Sequence, residues 1–337
     1  MRVLLTGASG FVGAHTAAAL IGAGHAVRAF VRSRERLSRA LEPLGAEIAE
    51  TVEGDVTDAA RVRGAMDGCD AVIHAANIFT YSSRFRREMD AVNVGGTELV
   101  LTTAAEMGLD PIVYVSSYTV LVGGEGPIPA DAPVQTERNQ PYIDSKRGGE
   151  RIARRFQGQS VPVVTTYPGS VWGPHDPGAG EMVKIARLML ASPFTFGLDG
   201  HIGIVDVSWL ARLHASLIEP GRGARRVLAP GITLSWRQLA QRLAEATGRR
   251  PPRFLPTPHP IADLFGRGAQ LASRIVGVDI PIHQEGPWLV RHWQPGDDRL
   301  SRDLAGPLPP VDETIVRAAE WMLEAGHIRS RKVVATA

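Results

Sequence analysis

The chain has 337 residues, 44% of them hydrophobic and 21% charged, with a formal net charge of +2. That length supports one large or two modest cores, and its basic residues, nearly all Arg with lysine only at 146, 184 and 332, form no stripe that would neutralise nucleic-acid phosphates. A single cysteine, Cys69, excludes an intrachain disulfide, so a reducing, cytoplasmic location is expected.

The opening apolar run MRVLL is broken at Thr6 and by the glycines that follow, which argues against a secretory leader. No later apolar run approaches the roughly 20 residues of a membrane helix, so the chain reads as soluble. RVLLTG (2–7) reads as a buried strand, and FVGAHTAAALIGAG as a helix stopped by Gly22 and Gly24. HAVRAFVR (25–32) is the next strand, followed by an Arg-rich helix from Ser33 to about Leu44. The alternation continues through AEIAE (46–50), a helix from Asp58 to Met66, DAVIHAA (70–76), and a helix from about Arg86 to Met107. PIVYVSS (111–117), a helix after Tyr142 and VPVVTTYPG (161–169) complete it. Strand and helix alternating about six times predicts an α/β, Rossmann-type doubly wound parallel sheet over 1–170. A smaller substrate-binding domain is expected over 171–337, with the option of returning elements to the sheet.

Within that frame TGASGFVG (6–13) has a mechanism. Gly7 permits the tight turn after the first strand, Gly10 lets a pyrophosphate approach the backbone, and Gly13 allows close helix packing. The pyrophosphate would lie at the positive end of the helix starting near Gly10. At the end of the second strand stands Arg32, with Arg34 and Arg36 behind it and no acid before Glu35. A basic residue there favours the extra phosphate of NADP(H) over NAD(H), which stays possible.

PYIDSK (141–146) places Tyr142 and Lys146 on one face of a helix. A phenol is a poor acid–base group at neutral pH unless its anion is stabilised, and an ammonium one turn away supplies that. VYVSS ends a strand with Ser116 and Ser117 at the carboxyl edge, where ligands of such sheets bind.

Taken in order, TGASGFVG, GDVTD (54–58), VIHAA (72–76), DAVNVGGT (90–97), VYVSS, YIDSK and PGSVWGP (168–174) resemble the extended short-chain dehydrogenase/reductase superfamily. The resemblance is closest to its dihydroflavonol reductase-like and 3β-hydroxysteroid dehydrogenase-like branch, and it covers about the first 175 residues. It implies that Gly7, Gly10 and Gly13, with Ser9, Phe11 and Val12 in the same turn, hold a pyrophosphate. It implies that Asp55 and Val56 flank the adenine and that Ala75 and Ala76 form the floor, while the end of the second strand, read by itself, brings Arg32 and Arg36 to the cofactor. By the same resemblance Asn93 supports the active-site helix, and Ser117, 25 residues before Tyr142, orients the substrate oxygen. Tyr142 would be the acid/base, Lys146 would bind the nicotinamide ribose and lower the pKa of Tyr142, and Pro168 and Ser170 would contact the nicotinamide. Two departures stand out. Tyr167 replaces an Arg common before the proline, and Ser117-Tyr118-Thr119 lacks the acids of sugar-nucleotide dehydratases.

Three functions follow: hydride transfer between NADP(H) and a carbonyl or secondary alcohol of an apolar or cyclic molecule, nucleotide-sugar epimerisation with tightly held NAD, or non-catalytic cofactor sensing. Beyond 171 the periodicity weakens. RRPPRFLPTPHP (249–260) reads as a proline-broken linker. The apolar stripe in 261–277 reads as core packing ahead of a lid or a membrane-touching patch. Asp206 reads as the start of a helix, and His201, His283 and His292 lack metal-ligand spacing, so no metal is expected. The expected partner is a small molecule, and the expected state a monomer or homodimer.

Overall fold

The structure, a computed structural model, describes residues 1–136, 140–191, 193–256, 268 and 285–328. The 261–277 stripe, apart from Gly268, and His283 lie outside the described residues. The first half runs β1 (Arg2–Thr6), α1 (Phe11–Gly22), β2 (Ala26–Val31), α2 (Arg34–Leu41), β3 (Glu50–Glu53), α3 (Ala59–Met66) and β4 (Ala71–His74). Then come α4 (Arg86–Met89), a π-helical stretch Asp90–Gly96, α5 (Thr97–Glu106), β5 (Ile112–Val115), α6 (Pro141–Gly158) and β6 (Val163–Pro168).

These strands form a parallel sheet in the order β3-β2-β1-β4-β5-β6, to which β10 (Arg225–Ala229) adds a seventh strand beside β6. Strands β4, β5 and β6 are buried throughout because helices cover both faces, which is why they read as continuous apolar runs. One face packs α1 against α8 (Val207–Ser216), with Trp209, Leu210 and Leu213 in the same core as Leu5 and Ile73. The other face packs α3, α5 and α6 around Val72, Ile112 and Tyr114. Strand order reverses between β1 and β4, so their carboxyl ends open the crevice where ligands of such sheets bind.

The remaining elements are β7 (Ser170–Trp172), α7 (Glu181–Leu190), β8 (Phe194–Gly197), β9 (His201–Asp206), β11 (Ile232–Ser235), α9 (Trp236–Ala246) and β12 (Arg253–Pro256). The C-terminal helices are α10 (Glu285–His292), α11 (Arg299–Ala305) and α12 (Val311–Glu324). A separate core joins Trp172, Ile204, Leu239, Leu243, Ile315 and Met322. Among the described residues no helix is long and apolar enough to cross a membrane.

Two sequence expectations are corrected. The third strand is Glu50–Glu53 and not 46–50: Glu50 pairs with Arg28 of β2 in the sheet register and its carboxylate binds Arg28 at 2.8 Å and Arg2 at 3.3 Å, partners that lie outside the local sequence. Arg253–Pro256, read as linker, is a strand paired in parallel with β8. Its prolines are tolerated because they flank or end a strand in a two-stranded sheet.

Candidate active site

The glycine turn joins β1 to α1. Gly7 has φ +76°, and a Cβ there would lie 2.6 Å from the Ala76 nitrogen. A Cβ on Gly13 would lie 2.0 Å from the Gly7 carbonyl oxygen, so the helix can approach the turn only without a side chain. Gly10 caps α1 with no side-chain hydrogen bond, and the first turn of the helix carries no acid. An uncapped helix N-terminus facing a crevice fits a pyrophosphate.

Of the site residues expected from the sequence, all but Asn93 line one of two adjoining cavities. The outer cavity, about 680 Å³, is within the size range of ligand pockets. Ser9, Asp55, Val56 and Ala76 line it, together with Arg32 and Arg36. Arg39, one turn beyond Arg36, also lines it and was not foreseen. Arg34 points elsewhere, donating to the Thr51 carbonyl of β3 at 2.5 Å. Gly7, Gly10, Phe11 and Ala75 are shared by both cavities.

The inner cavity, about 330 Å³, contains Val12, Gly13, Ser117, Tyr142, Lys146, Pro168 and Ser170. Ser117 and Asn77 share this cavity with the Tyr142 phenol. Burial pushes the phenol well above its ordinary pKa, while the Ser117 and Asn77 side chains act to lower it. Ser117 Oγ accepts the Thr119 hydroxyl at 2.9 Å, which leaves its own proton free to be donated. Lys146 Nζ donates to the Val115 carbonyl at 2.9 Å and lies 5.4 Å from the centre of the Tyr114 ring. Burial pushes the Lys146 ammonium down to about 7, with Glu150 one turn away acting to raise it.

Asn93 lies behind this surface, in the π-helical stretch. Its carboxamide clamps Ile78, accepting from its N–H at 2.8 Å and donating to its carbonyl at 3.0 Å. It also donates to Ser145 at 3.0 Å, and Ser145 donates to the Tyr142 carbonyl at 2.7 Å. Asn93 therefore props both the Asn77-Ile78 segment that follows β4 and the helix that carries Tyr142. His74, at the end of β4, bridges Thr6 at 2.8 Å and Thr97 at 3.1 Å, and burial pushes it down to about 3, so it is neutral.

Several wall residues carry no sequence motif. Phe79 and Tyr81 flank Tyr142 with ring centres 4.5 and 6.1 Å away, and Leu289, Val290 and Trp293 close the cavity from the C-terminal region. Among the described residues no arginine lines this inner cavity. Tyr167 is fully buried and donates to Glu150 Oε1 at 2.6 Å, and it does not line the inner cavity. Asp206 caps α8 as expected, accepting from Trp209 N–H at 3.0 Å, and it also holds Thr314 and Arg317 of α12. His201 reaches the inner cavity; His292 stacks on Trp288 at 4.7 Å and hydrogen-bonds to its carbonyl.

The chain is 31% identical over 226 residues to a 3 beta-hydroxysteroid dehydrogenase/Delta 5→4-isomerase of Mycobacterium tuberculosis; the match covers 64% of this chain and 57% of that protein. The chain thus spans somewhat over half the length of that relative. Sterol demethylase protein B of Methylococcus capsulatus is 26% identical over 339 residues, covering 97% of this chain and all of the relative (100%). A UDP-glucose-4-epimerase structure from Stenotrophomonas maltophila shares the fold with a TM-score of 0.76 at 20% identity, covering 97% of this chain and 99% of that one. Residues 3–192, more than half of the chain, match the family model, and the chain belongs to the NAD dependent epimerase/dehydratase family.

Proposed function

We propose that the protein is an NADP(H)-dependent oxidoreductase acting on a carbonyl or secondary alcohol of an apolar, cyclic substrate. The observation that carries this reading is the meeting of Ser117, Tyr142 and Lys146 with the glycine turn around one cavity. When bound, the nicotinamide supplies or accepts the hydride. Ser117 holds the substrate oxygen, and Tyr142 gives it a proton in reduction or takes one in oxidation. Lys146 fits the nicotinamide ribose and, as the ammonium, favours the Tyr142 phenolate. Holding both reactants against these groups supplies much of the rate gain.

Arg32, Arg36 and Arg39 around the outer cavity support the 2′-phosphate of NADP(H). The aromatic and aliphatic wall of the inner cavity supports an apolar substrate, in keeping with relatives named for hydroxysteroid and sterol chemistry. Nucleotide-sugar epimerisation is less favoured, because no arginine among the described residues lines the inner cavity and Tyr167 is turned into the core.

The test is direct: measure dissociation constants for NADPH and NADH, then screen cyclic ketones and secondary alcohols by nicotinamide absorbance. Tyr142→Phe is expected to lower turnover by about 10²–10⁴-fold while leaving cofactor affinity nearly intact. Full activity in that variant would overturn the assignment.

A further inference from the structure

A helix leaves its first N–H groups without intrahelical acceptors. At the start of α6, the Gln140 side chain makes no capping hydrogen bond, and Pro141 at the first position has no N–H to satisfy. Asp144 Oδ2 reaches back to the Gln140 N–H at 2.8 Å. The next two donors are met from far along the chain: Tyr142 N–H donates to Glu285 Oε1 at 3.3 Å, and Ile143 N–H to Glu285 Oε2 at 3.4 Å. Glu285 is 2% exposed and opens α10, whose Gly286, Leu289 and Val290 line the inner cavity. A single carboxyl group thus joins the substrate wall to the backbone of Tyr142.

We propose that Glu285 is a positioning residue: it docks α10 onto the first turn of α6 and ties the placement of the Tyr142 phenol to the wall that touches substrate. The inference rests on the reading of Tyr142 as the proton-transferring group. The charged and titratable groups facing Glu285 are Asp144 on α6, Arg86 on α4, and the phenols of Tyr142 and Tyr81. Burial pushes its carboxyl up to about 8, the Tyr142 and Ile143 N–H groups oppose that rise, Asp144 adds to it and Arg86 opposes it. Glu285 is therefore mainly neutral at pH 7 and becomes an anion above about 8. The anion is the better partner for a helix N-terminus, and its charge opposes phenolate formation at Tyr142.

The experiment compares wild type with Glu285→Gln and Glu285→Ala. Glu285→Ala is expected to lower kcat by about 10–100-fold, with cofactor dissociation constants unchanged, because small misplacements of a reacting group carry costs of that size. Glu285→Gln keeps an amide oxygen for one of the two donors, so it should retain more of the turnover than Glu285→Ala. In wild type the backbone amide resonances of Tyr142 and Ile143 should show a titration step near pH 8, and in Glu285→Gln that step should be missing, leaving only the one near 7 from Lys146. The oxidation-direction kcat/KM of wild type should level off above pH 8, whereas that of Glu285→Gln should keep rising. Amides that titrate alike in both proteins, or a Glu285→Ala enzyme with wild-type kcat and pH profile, would overturn the proposal. If Glu285→Ala does not fold, the Glu285→Gln amide titration decides alone. Should Tyr142→Phe keep its turnover while the amides titrate as expected, the docking stands and the catalytic reading of Tyr142 fails.

Discussion

The Tyr167 hydroxyl donates to Glu150 at 2.6 Å, and both side chains are fully buried. The same Glu150 oxygen accepts from Arg154 Nε at 2.7 Å, so Tyr167 belongs to a structural network beneath the site. Tyr167→Phe should lower unfolding stability by about 1–3 kcal/mol, the range for losing a hydrogen bond to a buried charged group. Urea denaturation measures that loss. Substrate KM should stay unchanged, and a rise in KM would place Tyr167 at the substrate after all.

Lys146 should make stability depend on pH in a defined sense. Its folded pKa, about 7, lies below the ordinary 10.5, so between these values the unfolded chain binds more protons and stability rises with pH. Below pH 7 the cost of burying the charge is felt in full; above about 10.5 it is gone. Lys146→Met should therefore be stabilised over wild type by roughly a few kcal/mol at pH 6, with the gap shrinking by pH 10. Thermal unfolding at the two pH values reads the difference, and a gap that widens with pH would contradict the assigned direction.

Arg32 and Arg36 should discriminate cofactors. Replacing either by Ala should weaken NADPH binding by about tenfold, close to 1.4 kcal/mol, while leaving NADH binding nearly unchanged. Arg39→Ala should act in the same direction, since Arg39 lines the same cavity. Equal losses for both cofactors, read by fluorescence titration, would show that these arginines do not recognise the 2′-phosphate.

Two glycine substitutions should behave oppositely. Gly13→Ala brings a Cβ to 2.0 Å from the Gly7 carbonyl oxygen, forcing the turn and helix apart. Cofactor binding should be lost, at a stability cost of about 1–3 kcal/mol. Gly64, inside α3, has open space around it, so Gly64→Ala should stabilise by about 0.5–1 kcal/mol. Calorimetry on the two variants checks both signs.

Much of the candidate site was legible because its signals are local. The glycine spacing, the Tyr142–Lys146 interval and the hydroxyls ending β5 each lie within a few residues, and strand–helix periodicity told where they sit in the sheet. The edge strand β3 was misplaced because its pairing partners on β2, and the Arg2 and Arg28 that meet Glu50, are remote in sequence. The pairing of Arg253–Pro256 with β8 escaped notice because prolines read locally as breakers, whereas a two-stranded edge tolerates them. Asp206 was recognisable as a cap, but its hold on Thr314 and Arg317, more than 100 residues away, was not.

The sequence alone determined the doubly wound sheet, the glycine turn and the helix face carrying Tyr142 and Lys146, since hydrophobic periodicity and i, i+4 spacing are properties of neighbouring residues. Only the tertiary structure decided that Tyr167 turns into the core, that Arg39 joins Arg32 and Arg36, and that Glu285 meets the first turn of α6. Those contacts depend on which distant surfaces pack together, and burial there, through desolvation, sets the protonation of Lys146 and Glu285.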